Sequence, residues 1–353
     1  MNRIKRLLGR ADDYQQAHLA LGFPLAVVKK FGDDQAGNLA ALIAYYGFFS
    51  LFPLLLVLVT VLGFVLSGNP HLQHDILNST FSQFPIIGDQ LRTNIHSLNG
   101  SGIALVIGII GTLYGGLGIC NAAQNALNQV WQVPMTERPG FLPRTLRSLL
   151  LLVVVGGGIL VTTAVSGFGS GKGTIGIGLR IAAIVVSLVA NFGLFVLAFR
   201  VLTVRDVAIR DLVPGAIIAA VAWQILQMVG GYYVTHTLKN ASQVYGFFGI
   251  VIGLLAWIYL EAQIVLYAAE VNVVRAHKLY PRAMFPPPTT EADRRAYDEY
   301  AQVQQRRPSE DIDVTFDERR EQQEAAERDG EPSPARDGTP RDTRLPYGSR
   351  SRR

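Results

Sequence analysis

The stretch WIYLEAQIVLYAAEVNVVRAHK, Trp257–Lys278, decides the fold. It closes an apolar run that begins near Val244 and carries only two charges before Val274, Glu261 and Glu270. About 20 apolar residues suffice to cross the hydrocarbon of a bilayer as a helix. The run is therefore long enough to span, and its acids demand an explanation. Glu261 lies 14 residues after Phe247 and 13 before Val274, so close to mid-span. An ionised acid there costs roughly 2.5–3.5 kcal/mol on insertion scales. Glu261 is expected to be protonated, partnered by Asn, Gln or Tyr, or turned to a hydrated cavity. Glu270 lies nine residues on, about 13.5 Å along a helix and half a turn round it. The two acids face opposite sides and are not a catalytic pair.

Composition agrees with a membrane reading. Of 353 residues, 49% are hydrophobic and only 17% charged, against about 25% charged in soluble domains. The charges gather at the two ends. Five further spans are predicted: Leu39–Leu66 with Pro53, Ile103–Trp131, Ser148–Phe168, Ile181–Phe199, and Leu212–Thr235 with Pro214 in its first turn. With Val244–Val274 they make six. Arginine and lysine crowd alternate connections: before span one, between two and three (Arg138, Arg144, Arg147), between four and five (Arg200, Arg205, Arg210), and after six (Arg275, Lys278, Arg282). The positive-inside rule then puts both termini in the cytoplasm. The expected fold is an all-α integral membrane protein of six transmembrane helices, with short extracytoplasmic amphipathic helices in His71–Leu98. Residues 1–37 are a cytoplasmic or interfacial segment, 38–282 the transmembrane domain. Residues 283–353, rich in charge, Gln, Pro and Gly, are expected to be a disordered tail with a brief helix near Glu291–Gln305.

Several motifs carry less than they promise. GKGTIG, in the loop Ser166–Gly178, copies a dinucleotide fingerprint but lacks its strand–turn–helix setting. HLQHD, His71–Asp75, has two histidines at i and i+3 but no obvious third strong ligand. No metal, cofactor or catalytic cluster is expected, so no enzyme. Cys120, the single cysteine, reads as a small buried hydrophobe. The net charge of +5 sits beside apolar spans and implies membrane orientation rather than nucleic acid.

Span two is more informative. Gly111 and Gly115 form a G-x-x-x-G for close helix contact. Asn121, Asn125 and Asn128 follow as a polar stripe, with Gln124 and Gln129 nearby. Such a stripe either bonds across helices or lines a cavity. The cavity candidates are Asn121, Asn125, Asn128, Asn191, Gln224 and Glu261. Glu270 is an ion-pair candidate near the cytoplasmic end, with Arg275 or the cations between spans four and five. Arg144, Arg147, Arg200 and Arg205 are candidates for anionic headgroups.

At these residues the chain resembles the YihY/virulence factor BrkB family, once labelled ribonuclease BN-like. The resemblance rests on AYYGFFSLFPLLL (Ala44–Leu56), Asn128–Trp131, VPGAIIAAVAWQ (Val213–Gln224), VYGFFG (Val244–Gly249) and WIYLEAQIVLYAAEVN (Trp257–Asn272). The family's last span reads Gly-Ala-Glu before an Asn; here it is Ala268, Ala269, Glu270 and then Asn272. Glu270 matches the family acid, whereas Glu261 falls where the family has an uncharged residue. The resemblance implies a bacterial inner-membrane protein linked to envelope integrity and lipid export. Membrane lipids are the implied partners, with envelope-assembly proteins recruited through the tail as the scaffold alternative.

Overall fold

A computed structural model describes residues 2–65, 102–151, 177–204, 206–232 and 247–329. They are helical, with no strand among the described residues. The order is α1 (Asn2–Ala17), α2 (Leu19–Asp33), α3 (Ala36–Val65), α4 (Gly102–Val130), α5 (141–151), α6 (Ile177–Leu202), α7 (Ile209–Tyr232), α8 (Phe247–Ala276), α9 (Glu291–Val303) and α10 (Glu318–Asp329). Four stretches among the described residues are long and apolar enough to cross a membrane: Val106–Val130, Val185–Leu202, Ile209–Leu226 and Val251–Ala276. Helix α3 is 30 residues long and apolar over Ala36–Leu51. The third predicted span lies mostly outside the described residues, as do the amphipathic loop His71–Leu98 and most of Ser166–Gly178.

These helices carry their large apolar side chains outward. Ile110 is 63% exposed, Val186 67% and Phe248 74%. A water-soluble protein rarely shows so much continuous apolar surface, so lipid is the fitting solvent. Many inward positions are small: Ala40, Ala44, Ala122, Ala126, Ala216, Ala219 and Ala220 are buried. Without a hydrophobic drive between helices, close backbone approach supplies the packing. Along α7, buried Leu212, Ala216 and Ala219 recur at helical spacing; α7 packs against α6, where Phe195 meets Trp223 edge-on at 6.1 Å. Helix α7 starts at Ile209, so Pro214 is its sixth residue rather than part of its first turn. The polar Ile209-Arg210-Asp211 turn, with Asp211 suited to the positive helix N-terminus, extends the helix beyond the apolar run.

The chain divides into two compact units. The apolar unit comprises 35–128 and 139–269; the polar unit comprises 2–34, 129–138 and 270–329. The polar unit thus gathers the amino-terminal helices, the chain after α4, the last two turns of α8, and the segment carrying α9 and α10. Its core holds Ala26, Val27, Phe31, Trp131, Val274, Leu279, Ala292 and Ala296. Helix α8 ends in a Schellman arrangement: Leu279 N–H bonds Val274 O at 2.9 Å, and Lys278 sits at φ 55°. That turn buries Leu279 and sends the chain back into the unit.

Within the segment expected to be disordered, α9 lies where the brief helix near Glu291–Gln305 was expected, and α10 is a second helix that was not. Thr290 and Asp293 form a capping box at the start of α9, and α9 buries Ala292, Asp293, Ala296 and Val303. One apolar stripe and a buried acid anchor a segment whose composition alone reads as solvated.

In the apolar unit α4 approaches α3 through glycines. A Cβ at Gly115 would lie 2.5 Å from Ser50 Cβ and 2.8 Å from its Cα; at Gly111, 2.8 Å from Pro53. Gly193 has nothing within 4 Å. Gly115→Ala is expected to cost about 1–3 kcal/mol through overpacking. Gly193→Ala should be neutral or stabilising by up to about 1 kcal/mol. Thermal unfolding of the two variants in detergent tests the contrast; equal melting temperatures would refute the glycine contact.

Candidate functional site

The polar unit is built around two buried clusters of charge. The first centres on Lys30, whose side chain is wholly buried near the end of α2. The i,i+4 spacing brings Asp34 onto its face, and Lys30 Nζ donates to Asp34 Oδ2 and, at 2.8 Å, to Val130 O. Glu270 Oε2 completes the shell at 3.0 Å. Gln132 Nε2 donates to the other Asp34 oxygen at 2.7 Å. Asp34 and Glu270 are 1% and 0% exposed at the side chain. Glu270 has the Lys30 ion contact, but neither of its oxygens receives a hydrogen bond of good geometry. Burial pulls the Lys30 ammonium down, yet Glu270 and Asp34 more than offset it and hold Lys30 charged. Burial pushes the Asp34 carboxyl up, by more than Lys30 pulls it down.

The second cluster centres on Asp293, at the start of α9. One oxygen accepts from Arg282 Nε at 2.8 Å and Lys29 Nζ at 2.9 Å; the other accepts from Ala283 N at 2.9 Å. Arg282 also donates to Asp33 at 2.8 Å, and its backbone carbonyl accepts from Gln15 at 2.8 Å. Asp12 accepts from Gln15, Gln16 and the Met284 amide. Burial alone would raise Asp293, but the Ala283 amide, Lys29 and Arg282 hold it below the usual carboxylate range. Asp12 is likewise lowered against its burial by the Met284 amide and the two glutamines. Together these contacts tie α1 and α2 to the chain after α8 and to α9.

The sequence candidates distribute unequally. Asn121 Oδ1 accepts from Arg144 Nε and Ser148 Oγ, both at 3.1 Å, and Asn121 O accepts from Arg144 at 3.0 Å. Gln124 donates to Ser148 at 2.7 Å. Asn128 Oδ1 accepts from Val204 N at 3.0 Å. Along α4 the amide stripe therefore joins helices, binding α5 and the chain after α6. Asn125, Asn191 and Gln224 are half-buried. Arg144 is committed to Asn121, Arg147 is half-buried, and Arg200 is exposed with Asp206 at 3.7 Å. Arg205 lies outside the described residues. Glu270 meets Lys30, while Arg275 is exposed on the same helix. Glu261 is half-buried and accepts from Trp257 Nε1 at 2.8 Å, a donor one turn back that the expected Asn, Gln or Tyr did not include.

Sequence reading took Lys30 and Arg282 only as cations that orient the chain, and missed Asp33, Asp34, Gln132 and Asp293. Local signals existed: Lys29-Lys30 precedes Asp33-Asp34 at i,i+4 spacing, and Thr290-x-x-Asp293 is a capping-box pattern. Among the described residues no group of three His, Cys, Asp or Glu could hold a metal ion.

The profile of the family described as Virulence factor BrkB matches residues 27–292. The chain belongs to this family. The match includes Lys30, Asp34, Glu270 and Arg282, and ends one residue before Asp293. Among relatives, the chain is 24% identical over 278 residues to "Inner membrane protein YhjD" of Escherichia coli K12, covering 73% of this chain and 82% of that protein. It is 27% identical to "Putative ribonuclease-like protein YfkH" of Bacillus subtilis 168, covering 67% and 88%. It is 29% identical to a "UPF0761 membrane protein" of Stenotrophomonas maltophilia R551-3, covering 72% and 60%. No solved structure matches.

Because Asp12 and Asp293 are depressed in the folded state, their stabilisation is present above the ordinary carboxylate value and lost as pH falls through their folded values. The polar unit is expected to open below about pH 4, read as faster amide exchange over residues 9–34 and 279–303. Asp293→Asn should cost on the order of 3 kcal/mol at neutral pH by leaving buried Arg282 short of charge. An unchanged melting temperature would refute the hub.

Proposed function

We propose that this BrkB-family membrane protein crosses the bacterial cytoplasmic membrane six times, with both termini cytoplasmic, and moves or handles a lipid or another amphiphile. The observation that carries this reading is Glu261. It is a half-buried acid in the middle of an apolar helix, bonded to Trp257 and without an ion pair among the described residues. A carboxyl so placed needs a neutral state or a polar neighbour in transit. Half-buried Asn191 and Gln224 are further polar groups on α6 and α7, the helices packed together in the same unit. The name "Inner membrane protein" of the Escherichia coli relative supports the location. The reading assigns no catalytic residue and no cofactor, and expects purified protein to hydrolyse nothing.

The ordered carboxy-terminal helices favour a second reading, a scaffold for envelope assembly. Helix α10 offers a strongly charged surface, and α9 is built into the polar unit. Truncation after Gln305 separates the readings because it keeps α9 in the polar unit and removes α10 with the rest of the tail. A scaffold that recruits through the tail then loses its protein partners, whereas a transporter keeps its activity in liposomes.

The decisive assay reconstitutes the full chain in liposomes carrying labelled lipids. Lipid movement should exceed that of protein-free liposomes, and Glu261→Gln should drop it toward the protein-free rate. No movement above protein-free liposomes, or full activity in Glu261→Gln, would sink the transport reading.

A further inference from the structure

The two buried clusters differ in charge balance. Around Asp293 two cations, Lys29 and Arg282, meet two acids, Asp293 and Asp33. Around Lys30 one cation meets two acids, Asp34 and Glu270. With all three ionised, the Lys30 cluster holds one uncompensated negative charge in a site sealed from water. A buried carboxylate without a counter-charge is expensive enough that such groups neutralise instead.

Among the described residues, Lys30 is the cation that Asp34 and Glu270 meet. From α2 the site faces Lys30 and Asp34, with Asp33 alongside; from the chain after α4, Gln132 and the Val130 carbonyl; from α8, Glu270. From α9 comes Tyr300, whose phenol senses Asp34 and Glu270 and is pushed up by burial, so it stays neutral. Arg282 is engaged by Asp33 and Asp293. At complete burial neither Glu270 oxygen has a hydrogen bond of good geometry, while Lys30 lies at 3.0 Å and Asp34 is close enough to interact with it directly. An acceptor so placed has room for one more hydrogen.

We propose that Asp34 and Glu270, held beside Lys30, form a binding site for one exchangeable proton. Binding forms an O–H bond on one carboxylate with a proton taken from bulk water, and leaves the other carboxylate to balance Lys30. Two interacting acids of this kind titrate as a pair rather than singly. Release of the proton leaves an uncompensated negative charge at a buried site, which weakens the contact between α2 and the last turns of α8. The site is separate from Glu261 and stands whether or not the membrane helices move lipid.

Infrared spectroscopy of the full chain in lipid tests it through the carboxylic C=O band, identified by its shift in heavy water. In the Glu261→Gln background, Glu270→Gln and Asp34→Asn should each lose the same single band, because either change leaves one acid to balance Lys30. The double variant should lose no more than either single one. Unchanged intensity in both single variants, or a double variant that loses twice as much, overturns the proposal. If either amide variant fails to insert, the Glu261→Gln chain alone decides. The band must be present at neutral pH and survive replacement of choline by sodium. Its absence, or its loss on adding sodium as an alkali cation displaces the proton, overturns the assignment.

Discussion

An ammonium with no access to water organises the polar unit. Moving such an ion into a medium of low dielectric constant costs on the order of 20 kcal/mol in the ideal limit, and still several in real proteins. Lys30 offsets that cost only by collecting oxygens from three separate stretches: Asp34 beside it, the Val130 carbonyl at the end of α4, and Glu270 near the end of α8. None of the three stretches satisfies it alone. The requirement therefore dictates which chain segments must meet, and the apolar core of Val27, Phe31, Trp131 and Val274 closes over the result.

The same logic separates the two kinds of polarity in this chain. In the apolar helices, amides take the place of charges. Asn121, Gln124 and Asn128 each satisfy a hydroxyl, a guanidinium or a backbone group on a neighbouring stretch. Each such bond is worth modest energy, but leaving any of these groups unbonded away from water would cost more. The polar unit instead concentrates full charges, where several partners can surround each one. Arg282 and Asp293 show this most clearly, since each serves two or more opposite charges or backbone groups.

Much of this architecture was legible in the residues. Uncharged runs of 20 or more gave the long helices, and Gly111 and Gly115 predicted the close approach of α4 to its neighbour. The amide stripe was read as either cross-helix bonding or cavity lining, and bonding is what Asn121, Gln124 and Asn128 do. Nine-residue spacing placed Glu261 and Glu270 on opposite sides, and they do meet different partners. What stayed hidden depends on distance along the chain. Nothing local to Glu270 announces Lys30, and nothing in the charged run after Pro286 announces that Asp293 is buried. Local composition measures average solubility, whereas one capping box and one alanine stripe suffice to fold a short helix onto a waiting surface. Trp257 escaped notice for a different reason: its ring counts as apolar, yet its N–H is a donor one turn from Glu261.

The separation between Lys30 and Glu270 also has a consequence in time. The two residues are 240 positions apart, from 270 less 30. At ribosomal rates of about 5–20 residues per second, Lys30 waits roughly 12–48 s for Glu270. During that interval Asp34 is the one carboxylate of the pair already made. Helix α2 therefore spends most of biosynthesis as a dipolar segment of provisional structure. A chain that ends before residue 270 can already offer Lys30 the Val130 carbonyl, and Asp34 the Gln132 amide, but lacks the second carboxylate of the shell.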